Sequence, residues 1–133
     1  MSLTANRGMG QTNYNGYSSD VAAVVDSVLS CNVYTAAGAI SQKEGTVILK
    51  TGTAGAMTLA NPTAGLPAAG GDDGKELSIV AADAHAYTVT TGTSGLNGAS
   101  HIATFAAAIG NGITLTAYNG TWLVTVNNGI TLS

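Results

Sequence analysis

The residues able to do acid–base or nucleophilic chemistry are few: two histidines, seven carboxylates, four cationic side chains and one cysteine in 133 residues. Catalysis needs such groups to converge, and their placement gives no sign of it. His85 falls in an expected turn and His101 at an expected strand start. Neither stands beside an acid or Cys31 in a recognisable motif, and their separation along the chain matches no zinc signature. Gly70-Gly71-Asp72-Asp73-Gly74-Lys75-Glu76 gathers carboxylates that suit calcium. It lacks the alternating ligand spacing of an EF-hand loop, so an Asp-Gly turn is the expected use. No glycine-rich segment carries a phosphate-loop motif, and no Ser/His/Asp or Cys/His arrangement is visible. The expectation is a protein without catalytic residues, metal ligands or cofactor. Among the aromatics, Tyr118 and Tyr34 are candidates for stacking on a sugar.

The polar character comes from Thr, Ser and Asn. Charged residues make up 8% of the chain, against about 25% in ordinary globular proteins. A folded monomer of this size exposes about 6,400 Å², or one charged side chain per ~580 Å². So thin a charge coat favours association, and an oligomer is expected. The net charge of −3 and the lack of a basic patch argue against nucleic acid as a partner. The longest apolar run, Val21 to Val25, is too short to span a bilayer. The opening MSLTANRGMG has no apolar core of a secretory signal, so synthesis in a cytoplasm is expected. Cys31 follows an apolar stretch and reads as a small buried residue.

The elements that would have to position any site divide at about residue 45. Residues 1–19 carry Gly, Asn, Ser and Gln without apolar periodicity and read as an extended or flexible arm. Arg7, Tyr14 and Tyr17 are its candidate partner contacts. Residues 20–44 read as a short helix and a connecting strand and loop. Val21, Val24 and Val25 share one face of that helix and are further candidate contacts. Residues 45–133 alternate apolar and polar residues in short runs separated by Gly, Asn and Asp turns. That pattern predicts a mainly β fold, an antiparallel β-sandwich or jelly-roll-like domain.

Asn119-Gly120 predicts a two-residue hairpin that pairs Tyr118 with Thr121, Ala117 with Trp122 and Leu115 with Val124. Continued, the register pairs Ile113 with Val126 and makes one face apolar and the other largely hydroxyl. A three-residue loop, Asn127-Asn128-Gly129, would bring Ile130 opposite Val126 and Leu132 opposite Val124, with Gly129 in the left-handed position. A similar loop at Asp83-Ala84-His85 would pair Ala81 with Tyr87 and Ile79 with Val89. Ile79, Tyr87, Leu115, Trp122 and Val124 are the candidate core anchors.

The segment GITLTAYNGTWLVTVNNGITLS resembles the closing hairpin of bacteriophage virion proteins, an apolar Thr-rich strand, then N/D-G-T-x-W, then a Val-rich strand. GTVILKTGTAGAMTLANPTAG and DDGKELSIVAADAHAYTVTTG resemble the preceding strands of such proteins. The resemblance covers about residues 45–133 and is strongest to head decoration (cement) and head-fibre proteins. It implies a homotrimeric β-domain on the outer head surface of a virion, bound to the major capsid protein and stabilising capsomer junctions. A receptor- or glycan-binding module of a head or tail fibre is the alternative, and an adhesin-like or cellular β-sandwich a third reading.

Overall fold

Short runs in which every second residue is apolar become strands with one buried and one open face. The computed structural model describes residues 30–133. The expected arm and helix, with Arg7, Tyr14, Tyr17, Val21, Val24 and Val25, lie outside the described residues. Cys31–Ser133 form one unit. Its strands are β1 (Cys31–Tyr34), β2 (Gly38–Ile40), β3 (Gly45–Leu49), β4 (Ala56–Leu59), β5 (Glu76–Ala81), β6 (Thr88–Thr90), β7 (Ile102–Phe105), β8 (Gly112–Tyr118), β9 (Thr121–Asn128) and β10 (Ile130–Leu132). Thus β1 and β2, expected in the connecting segment, belong to the same unit as the later strands.

The strands make two five-stranded sheets. The front sheet has the order β9-β8-β5-β3-β1 and the back sheet β10-β7-β6-β4-β2. The expected all-antiparallel arrangement is corrected: both sheets are mixed. From β1 to β6 the chain alternates between front and back, and each strand lies parallel to the one two before it. This is the path of a short two-sided solenoid, in which each coil adds one strand to each sheet. Antiparallel strands complete both sheets, β8 and β9 in front and β7 and β10 behind.

Inward residues of both sheets meet in one buried cluster that includes Leu49, Leu77 and Trp122 in front and Met57, Val89 and Phe105 behind. Ile79, Tyr87, Leu115 and Trp122 are buried in it, and Val124 packs against it partly buried. Trp122 also donates from Nε1 to the Ala60 carbonyl at 3.0 Å, which satisfies its one polar atom inside an apolar site.

The β8–β9 hairpin has the expected register from Tyr118↔Thr121 through Leu115↔Val124. Asn119 and Gly120 both have positive φ, 49° and 80°, as a primed turn requires. Beyond Val124 the register shifts, so Val126 faces Thr114 instead of Ile113. Thr125 is the extra residue of a bulge, and its hydroxyl donates to the Thr114 carbonyl. The bulge turns Val126 outward, against the expectation that it would join the apolar face.

Two further pairings are corrected. Ile130 and Leu132 face Phe105 and Ala103 on β7, not Val126 and Val124 on β9. The loop does hold Gly129 at φ 76°. It is clamped by Asn127, whose side chain accepts from the Ile130 N–H and donates to the Ile130 carbonyl. It sends the chain across to the back sheet instead of folding it back on β9. Likewise β5 and β6 do not form a hairpin, because residues 82–87 carry the chain from front to back. That corner is tied down by Tyr87, whose hydroxyl donates to Asp83 and accepts from the Thr51 N–H at 2.9 Å. Asp83 also accepts from the Gly52 N–H at 3.1 Å.

Candidate functional site

The described charged side chains gather in loops and at strand ends. Lys43, Glu44, Asp72, Asp73, Lys75 and Glu76 lie where β3 and β5 begin, and Lys50 and Asp83 just after these two strands end. Asp72 is buried between two lysines, with Lys75 Nζ at 2.9 Å and Lys43 Nζ at 3.1 Å. It also accepts from the Thr63 N–H at 2.7 Å. Burial alone would raise its pKa, but the Thr63 N–H, Lys75 and Lys43 outweigh burial and hold the carboxyl well below the usual range. Lys75 is raised in turn, chiefly by its bond to Asp72. Asp72, Lys43 and Lys75 are partnered within the fold, so they tie the loop at 63–75 to the loop before β3. The Asp-Gly turn anticipated in this segment is part of that tie.

At the other end Asp83 is lowered first by the Tyr87 hydroxyl. His85 Nε2 lies 3.9 Å from Asp83 Oδ2. His101 begins the approach to β7, and its main chain bonds Ser133 and Thr91. Among the described residues, no three His, Cys, Asp or Glu side chains are grouped so that they could hold a metal ion.

The sheet faces differ from the ends. On the front sheet the outward residues follow from the register. One cross-strand row is Val33, Ile48 and Val80; the next is Cys31, Thr46, Ser78, Thr114 and Val126. A third holds Glu76, Thr116 and Leu123, and Tyr118 stands beyond it. Six large hydrophobic residues of the described chain are exposed, and four of them, Val33 (54%), Tyr118 (59%), Leu123 (38%) and Val126 (56%), belong to this face. Between these apolar flanks runs a band of hydroxyls, with Ser78 Oγ 3.2 Å from Thr114 Oγ1. Glu76 is the single charged residue among these rows, at their margin.

The back sheet presents a second uncharged face of another kind. Its rows are Thr131, Thr104, Thr88 and Ala56, and then Ile102, Thr90, Thr58 and Ala39. Its strands are only three or four residues long. Five strands ~4.8 Å apart, at ~3.3 Å per residue, give this face a planar area of roughly 250 Å². The longer front strands give roughly 500 Å².

The β9 edge of the front sheet is partly covered. The Trp122 N–H donates to the Gly95 carbonyl, the Asn97 N–H to the Trp122 carbonyl, and the Val124 N–H to Asn97 Oδ1. An added strand would have to displace this loop, whereas among the described residues none covers the face beside it.

The front face is the candidate functional site. Sequence reasoning reads Tyr118 as a stacking candidate and Trp122 as a core anchor. Tyr118 is exposed on the front face and Trp122 lies in the core. Tyr34, the other stacking candidate, is partly buried and accepts from the Ser41 N–H. Cys31 is exposed on the front face, not buried. Val33, Ile48, Val80 and Val126 carried no legible signal, because an outward valine on a strand looks like an inward one until the strand's partners are known. No protein-family model matches the sequence, and no curated protein matches it.

Proposed function

We propose that this protein is a structural subunit of a bacteriophage particle, a decoration protein of the outer head surface that performs no catalysis. The observation that carries the reading is the front face, broad, nearly uncharged and bearing four exposed large hydrophobic residues. Exposed apolar patches of several hundred Å² mark interaction surfaces, and depletion of charge with Tyr present is the composition of an interface core. The two sheets around one core support a sandwich-type β-domain, and the likeness of residues 45–133 to virion β-domains supplies the particle. In this reading the subunits associate with one another over capsomer junctions, and added buried area holds neighbouring capsomers together. Arg7, Tyr14, Tyr17 and the valines at 21, 24 and 25 contact the major capsid protein.

The test is co-sedimentation of the full chain with heads stripped of decoration, followed by immunogold labelling. Binding over the head lattice is expected, weakened at least ~10-fold by Tyr14→Ala/Tyr17→Ala. Labelling confined to tail tips would overturn the head assignment. One observation favours the fibre alternative, the exposure of Tyr118 beside a turn, where an aromatic ring suits a sugar. A glycan array scores that reading directly.

A further inference from the structure

We infer that the front face mates with the front face of a second copy of this chain. The inference rests on reading that face as an interface and names the partner seated on it.

Chemical self-complementarity is the first argument. A face built on fixed donors or fixed charges repels its own copy, because like meets like. A hydroxyl is both donor and acceptor, so the Thr46, Ser78, Thr114 and Thr116 band can satisfy a copy of itself. The apolar residues flanking it need only another apolar surface. The described residues carry three lysines against five acids (Lys43, Lys50, Lys75; Glu44, Asp72, Asp73, Glu76, Asp83), an excess of two negative charges. Nearly all of these stand at the ends of the sheet, so two copies can approach face to face with only the marginal Glu76 carrying charge.

Area gives the second argument. Two front faces together remove roughly 1,000 Å², about the lower bound for a specific protein–protein contact. The back face, at roughly half that, falls short. The third argument is the edge. Because the loop at 95–97 bonds the N–H and carbonyl of Trp122 and the N–H of Val124, pairing along that part of β9 is obstructed and stacking through the face is not. A contact near that lower bound belongs to the weak, transient class.

Sedimentation velocity of the full chain from about 1 to 100 µM tests the inference. The expected wild-type result is a mass above the 13.1 kDa of one chain, rising with concentration. Leu123→Lys/Val126→Lys should weaken association at least ~10-fold, with the circular dichroism spectrum unchanged. Val33→Lys, at the opposite flank of the face, repeats the test if the double variant misfolds. Thr88→Lys/Thr104→Lys on the back face should leave the mass unchanged. A wild-type chain that stays monomeric at about 100 µM, or front-face variants that associate as wild type does, would overturn the inference. A monomer that still coats heads would sink this inference alone, whereas an oligomer that ignores heads would sink the particle reading alone.

Discussion

The two outer faces of this protein are made from nearly the same alphabet and differ in order and extent. The back face sets threonines beside alanines on strands of three or four residues. The front face sets valines, an isoleucine, a leucine and a tyrosine around its hydroxyls, on strands of up to eight. Both do without charge across their middle, yet the front alone combines apolar side chains with enough area for a contact. A thin charge coat is therefore not spread evenly over a molecule. Here it is concentrated at the two ends of the sheets, where Asp72 and Asp83 tie loops together, and the faces are left free for contact.

The largest effect should separate the inside of the front sheet from its outside. Trp122→Ala is expected to cost about 3–5 kcal/mol in urea unfolding, the range for deleting a buried aromatic ring. Leu123→Ala, one residue along on the outer face, should shift the same curve by about 0.5 kcal/mol or less. Equal losses at the two positions would mean that Leu123 is no surface residue.

Next in size is the charged end. Asp72→Ala takes one carboxylate partner from each of two lysines and a backbone N–H, and about 2–3 kcal/mol should be lost. The folded carboxyl titrates below its unfolded value, so its contribution is complete above about pH 4 and fades as pH falls below that. Thermal melts from neutral to acid pH should show that decline in the wild type, and Asp72→Asn should flatten it.

The smallest effect on stability, and the sharpest on the comparison, comes from making the back resemble the front. Thr88→Val/Thr104→Val/Thr131→Val keeps shape and should change unfolding by about 1 kcal/mol or less. Light scattering should show no new association through the back, because that face stays below the area a specific contact needs. If the triple variant did associate through the back, apolar content and not extent would be what distinguishes the two faces.

Much of the local structure was readable in the residues. Asn119-Gly120 specified a primed turn, and the alternation around it set the register as far as Val124. Gly129 was legible as a left-handed position, and a Cβ there would fall 2.5 Å from Asn111 Oδ1. The site was less legible. Tyr118 was visible as an exposed aromatic, but the Thr125 bulge that turns Val126 outward has no signature in a run of β-branched residues.

The sequence by itself determined which residues point inward along most strands, because a period of two is imposed by the backbone and needs no partner. It also determined the shortage of charge and the β8–β9 turn. The tertiary structure decided which strands are neighbours, and hence the mixed sheets, the crossings at 82–87 and 127–130 and the front face itself. The reason is range: a half-buried strand shows the same alternation whether its neighbour is parallel or antiparallel. The choice falls to contacts such as Tyr87 with Thr51, 36 residues apart, and Trp122 with Ala60, 62 apart, which only the folded chain brings together.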